Sequence, residues 1–159
     1  LKPTRVAGAN RVLNPGFEIL GAGGADIWAN WSEAAWDGVI ADETVLVHSG
    51  GHAAKLTAGA SLNTNIEGED FVVVPGTAHQ LSFWARGDGT NYGRYLVLDI
   101  SGDVVIIEGA TGVPGTTYTQ VSVPFTAPAG CVLARVYLLC PTVNGGIAYF
   151  DDVSLVEVG

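Results

Sequence analysis

The chain has 159 residues, 48% of them hydrophobic and 14% charged, which fits one folded domain and excludes a disordered tail. A net charge of −9 removes the basic surface that nucleic acid or an anionic membrane would need. No apolar run reaches the roughly 18 residues of a membrane span, the start lacks a signal-peptide core, and the absence of Met even at position 1 predicts a processed product or a piece of a longer parent.

Residues 1–12 carry Lys2, Arg5 and Arg11 without a hydrophobic period and read as an arm or the end of a linker. The domain is expected over 13–159. From Leu13 on, turn signals recur at about the 8–12-residue spacing of a sandwich or barrel: Asn14-Pro15-Gly16, Gly21 to Gly24, Ser49-Gly50-Gly51, Pro75-Gly76, Gly87-Asp88-Gly89, Ser101-Gly102-Asp103, Pro114-Gly115, Pro128-Ala129-Gly130 and Asn144-Gly145-Gly146. Between them lie β-rich segments at about 36–40, 43–48, 53–57, 61–66, 69–74, 79–86, 93–100, 103–108, 117–126, 132–140 and 147–156. No segment keeps a helical period. The reading is an all-β, two-sheet antiparallel sandwich.

Strand parity assigns the faces. Leu81, Phe83 and Ala85 turn to the core, so Trp84 and Arg86 turn out. By the same alternation Leu96, Leu98 and Ile100 point in and leave Tyr95 and Asp99 out, while Val136 and Leu138 leave Arg135 and Tyr137 out. Trp84, Tyr95 and Tyr137 are expected on one sheet. Trp36 reads as a core candidate, and the loop around Trp28 and Trp31 as a border or cover. Cys131 and Cys140, at the two ends of one strand, are too far apart for a disulfide and are expected to be buried free thiols.

Four short motifs occur in order: Asn14-Pro15-Gly16-Phe17-Glu18; His48-Ser49-Gly50-Gly51-His52-Ala53-Ala54-Lys55-Leu56; Gly76 to Arg86, with Leu81-Ser82-Phe83-Trp84-Ala85-Arg86; and Tyr149-Phe150-Asp151-Asp152-Val153-Ser154-Leu155. The ordered set resembles the β-jelly-roll carbohydrate-binding modules, especially families 4, 9, 16 and 22, a galactose-binding-domain-like sandwich, over about residues 13–157. In a jelly roll the first and last strands run side by side, which brings the carboxylates of Glu18 and Asp151 together. Two like charges there call for a cation, and Ca²⁺ accepts carboxylate and carbonyl oxygens. The resemblance implies a structural Ca²⁺ held by Glu18 and Asp151 with carbonyls from Gly16, the Gly51 neighbourhood and Ala53. It also places Trp84 on the glycan-binding face.

Aromatic rings stack on the C–H faces of sugars, and Arg86, Arg135 and Asp99 suit hydroxyl groups. Trp84, Arg86, Tyr95, Asp99, Arg135 and Tyr137 are therefore the expected ligand residues, for an oligo- or polysaccharide. His48, His52 and His79 show no catalytic or metal-binding spacing, and Glu67-Gly68-Glu69-Asp70 reads as a solvated turn, so no enzyme is expected. The module would serve a larger extracellular, cell-surface or virion protein, such as a glycoside hydrolase. The alternative is a structural or assembly module, a virion decoration or adhesion domain, using the same fold for contacts with other subunits.

Overall fold

A computed structural model describes residues 8–158. The described residues form β1 (Leu20–Gly23), β2 (Asp26–Trp28), β3 (Trp31–Ala34), β4 (Val39–Glu43), β5 (Ala53–Thr57), β6 (Thr64–Gly68), β7 (Phe71–Val72), β8 (Ala78–Arg86), β9 (Arg94–Asp99), β10 (Val104–Ala110), β11 (Thr119–Thr126), β12 (Leu133–Cys140) and β13 (Ile147–Glu157). Two antiparallel sheets make the jelly-roll sandwich. One has six strands, ordered β10-β9-β12-β6-β3 with β7 on β12; the other has five, ordered β11-β8-β13-β5-β4. Among the described residues no helix is long and apolar enough to cross a membrane.

Alternation builds the core between the sheets. Leu81 and Phe83 of β8 are fully buried, as are Val97 of β9 and Leu138 of β12, because successive strand residues point to opposite faces. Phe83 meets Phe150 edge-on at 5.7 Å and reaches Tyr95 of the other sheet at 6.0 Å.

Several sequence expectations shift. The glycine-rich stretch from Leu20 forms β1 to β3, which the turn signals had hidden. Residues 44–52, part of which was expected as a strand, form a loop between β4 and β5. Residues 8–12 of the expected arm lie along β13: Gly8 N–H donates to Glu157 O at 3.1 Å and Arg11 N–H to Leu155 O at 2.8 Å. The remainder of the expected arm, 1–7, lies outside the described residues.

The tryptophans exchange places. Trp28 and Trp31 are core, with rings 5.1 and 4.9 Å from Phe17. Their indole N–H groups keep a partner, Asp42 Oδ1 and the Asn14 carbonyl, both at 3.0 Å, as a buried donor must. Trp36, the core candidate, is instead 69% exposed on a corner closed by Gly38 N–H to Ala35 O at 2.7 Å, with a left-handed φ of 52°.

Cys131 and Cys140 are both buried and free. Burial pushes both thiols up to about 11, so little reactive thiolate exists at neutral pH. Alkylation should label neither in the folded domain and both after denaturation, read by intact mass under non-reducing conditions. A native mass two units low that reductant restores would contradict the free pair.

Candidate functional site

The turn after the first motif is organised by Asn14, whose side chain accepts from Ile19 N–H at 3.0 Å and donates to the carbonyls of Ile19 and Ala29 at 2.8 Å. Glu18 then reaches the 48–52 loop, where it accepts from Gly51 N–H at 3.0 Å and His52 N–H at 3.3 Å. Glycine suits position 50, where φ is 65° and a Cβ would have to displace the Glu18 carboxylate from its bond to the loop. On the other side Asp151, fully buried, accepts from His48 N–H at 2.9 Å and Ser49 N–H at 3.2 Å. Glu18 and Asp151 thus close on one turn, because the segment before Glu18 runs along β13, with Val153 N–H donating to Pro15 O at 2.9 Å.

A bulge in β13 between Asp151 and Ser154, with Asp152 at φ 48°, brings Asp152 to the same loop as Asp151. The Asp152 carboxylate holds His48 Nδ1 and Ser49 Oγ, each at 2.6 Å. Burial first, then the Asp152 charge, pushes the Asp151 carboxyl up to about 6 against the pull of the Ser49 and His48 amides.

The donor atoms of this end are oxygens, the chemistry Ca²⁺ prefers. Gly16 packs against all three acids: a Cβ there would lie 3.3 Å from Asp152 Oδ1 and 3.9 Å from Asp151 Oδ1. Ala53 is buried at the start of β5. Among the described residues no three His, Cys, Asp or Glu side chains are grouped to share an ion, so carbonyls of Gly16, Gly51 and Ala53 would have to complete a shell begun by Glu18 and Asp151.

Trp84 does face away from the core, but the loop covers it. His48 stacks on its ring at 3.9 Å and 12°, and Tyr118 meets His48 at 6.0 Å. Arg86, on the same face, lies 4.7 Å over the Tyr149 ring, with Lys55 at 5.9 Å from that ring. Both belong to the five-stranded sheet. Arg135 and Tyr137 belong to β12 in the six-stranded sheet and face the opposite side of the molecule, so the expected aromatics do not share one surface.

Two ligand expectations on β9 are corrected. Val97 pairs with Val136 and Asp99 with Ala134, both inward-facing partners, so β9 is reversed relative to the parity reading. Tyr95 packs on the core against Phe83, and a Cβ at Gly109 would come 2.6 Å from its hydroxyl. Asp99 is buried and accepts from Ser101 Oγ at 2.5 Å and Gly102 N–H at 3.0 Å. It closes a turn. Leu96 and Leu98 are apolar yet lie on the outer face, so hydrophobic alternation alone points the wrong way along β9.

That outer face gathers a polar constellation. Arg135 donates from Nε to Asp70 Oδ1 at 2.7 Å and from an η nitrogen to Glu67 Oε1 at 3.1 Å and the Tyr137 hydroxyl at 3.2 Å. Its guanidinium is held charged, first by the bond to Asp70 against desolvation. A groove of about 390 Å³ runs along Ser32, Glu67, Gly68, Glu69, Asp70 and Arg135. The acidic run 67–70 is therefore not merely a solvated turn, a partnership that only strand pairing reveals, since Tyr137 sits opposite Glu67 across 70 residues of chain.

No family profile and no curated protein matches the chain. Solved structures match its fold throughout. The β-galactotriose complex of TmCBM61 is 15% identical with a TM-score of 0.64, covering 95% of this chain and 100% of that one. A Stig cyclase, Fisc from Fischerella sp. TAU, is 18% identical with a TM-score of 0.70 over 96% and 98% of the two chains. A tailspike protein 4 domain of bacteriophage CBA120 is 19% identical with a TM-score of 0.70 over 94% of this chain, which spans about a fifth, 21%, of that protein. The fold is that of the jelly-roll carbohydrate-binding modules, and a cyclase shares it.

Proposed function

We propose that the chain is a non-catalytic carbohydrate-binding module of a larger extracellular, cell-surface or virion protein, with its ligand on the outer face of the six-stranded sheet. The observation that carries this is the groove lined by Arg135 and Glu67, with the Tyr137 hydroxyl bonded to Arg135 beside it on the same sheet face. A phenol ring offers a stacking face, and charge-assisted donors and acceptors beside it match sugar hydroxyls. A likeness in fold to a module bound to β-1,4-galactotriose supports the ligand class. Of the three carboxylates along the groove, Glu67 and Asp70 are held by Arg135 and Glu69 accepts from Asn30 Nδ2 at 3.2 Å, an arrangement suited to hydroxyl contacts rather than to the opposed acid and base of a glycosidase.

A structural Ca²⁺ at Glu18 and Asp151 belongs to this reading. Keeping Asp151 ionised at neutral pH costs about 3 kcal/mol by the elevation of its pKa to about 6, a cost that an adjacent cation offsets.

Calorimetry against β-linked oligosaccharides tests the binding face. Tyr137→Ala should weaken binding at least tenfold, about 1.4 kcal/mol, while the melting temperature stays within a few degrees. Trp84→Ala should leave affinity unchanged. Loss in Trp84→Ala with retention in Tyr137→Ala would move the site to the five-stranded sheet. The second reading, a subunit-contacting structural module, is favoured by the tailspike likeness and by the His48 cover over Trp84. It gains if no glycan binds and the parent assembly buries the Tyr137 face.

A further inference from the structure

Outside the groove, a second cavity of about 250 Å³ opens at one end of the sandwich, among Asn91, Tyr92, Arg94, Pro141, Val143 and Gly146. Its walls are mutually fastened. Asp88 accepts from Thr90 N–H at 3.0 Å and Asn91 N–H at 2.7 Å on one wall and from Ile147 N–H at 3.1 Å beside the other. Cys140 Sγ donates to Gly146 O at 3.3 Å, and Gly145 N–H to Ala58 O at 3.0 Å. Gly93 turns inward, where any Cβ would strike the Phe150 ring and lie 2.8 Å from the Leu139 carbonyl. That fixes the backbone between Tyr92 and Arg94. Such walls need little ordering on binding.

The contents of the cavity define a ligand. Tyr92 is 39% exposed. Arg94 alone among the described Lys and Arg side chains has no ion pair and no ring beneath it: Arg11 and Arg135 hold carboxylates, and Lys55 and Arg86 lie over Tyr149. Guanidinium binds carboxylate through two parallel hydrogen bonds. Pockets for drug-sized ligands run from about 300 Å³ upward, so this one takes a single ring.

We propose that this pocket binds one sugar ring bearing a carboxylate, a hexuronic acid at a chain end, with its C–H face on Tyr92 and its carboxylate on Arg94. The proposal rests on the carbohydrate reading for the class of ligand and not on which sheet face binds. The net charge of −9 selects a singly charged residue over a polyuronate, because at 0.15 M salt fields are screened beyond about 8 Å and the local cation prevails only at short range.

The test is an amide-resolved NMR titration of the chain with glucuronic and galacturonic acids, and with glucose and galactose as neutral controls, at 0.15 M salt. The acids should shift amides of 90–94 and 143–146, and the neutral sugars should not. Arg94→Gln should weaken the acids at least tenfold with an unchanged melting temperature, and Tyr137→Ala should leave their binding intact. No shift in these segments, an equal response to neutral sugars, or undiminished affinity in Arg94→Gln overturns the proposal. Neutral oligosaccharide binding in the groove is scored separately: its absence alongside uronate binding here sinks the groove assignment alone.

Discussion

Asp88→Ala is expected to lower the melting temperature by roughly 10 °C. The carboxylate accepts three backbone N–H groups, from Thr90, Asn91 and Ile147, and the Asn91 side-chain amide at 3.0 Å. Bonds to a charged acceptor contribute about 1.5–3 kcal/mol each and are not additive, so about 3–5 kcal/mol is the expected loss, at about 2–4 °C per kcal/mol for a domain of this size. The pH dependence has a definite sign. Desolvation raises the Asp88 pKa, but the bonds to Asn91, Thr90 and Ile147 outweigh it and hold the carboxyl well below the usual carboxylate range. The folded state therefore binds fewer protons than the unfolded one, and this stability is complete above about pH 4 and lost as pH falls further. The gap in melting temperature between wild type and Asp88→Ala should close in acid. A gap that stays constant from pH 7 to pH 2 would show that the loss is packing alone.

Calcium at 100 times its dissociation constant should stabilise the domain by about 2.7 kcal/mol, roughly 5–10 °C in melting temperature, and chelation should abolish the gain. Glu18→Gln should lose the response while retaining acceptance from Gly51 N–H through its amide oxygen. In chelator the Asp151 carboxyl works in the opposite sense to Asp88. Its folded pKa of about 6 exceeds the unfolded value, so its contribution is full below about pH 4 and lost as pH rises through 6. The chelated wild type should accordingly melt higher at pH 5 than at pH 7 relative to Asp151→Asn. Scanning calorimetry with elemental analysis reads both arms. Unchanged melting in excess chelator, with no metal in the purified domain, rejects the ion.

What was legible in the sequence follows from local rules. The regular turns and short alternating segments announced a β-sandwich, and the inward alternation of Leu81, Phe83 and Ala85 correctly turned Trp84 outward, since the period of a strand is set by its own backbone. The ordered end motifs correctly paired Glu18 with Asp151 near one turn. Other features were set at a distance. β9 is apolar on both faces, so only its register with β12 decides that Tyr95 and Asp99 face inward. Arg135 finds Asp70 and Glu67 because strand pairing brings them together. Trp28 and Trp31 are core and Trp36 is exposed through the path of the chain around Phe17 and the Ala35–Gly38 corner, not through hydrophobicity, which is the same for all three. Sequence by itself determined the all-β class and the alternation within the strands it found, because both are local properties of the backbone. Only the tertiary structure decided which sheet each outward residue serves and which loops cover it, because register and sheet order are fixed by side chains tens of residues apart competing for one interior.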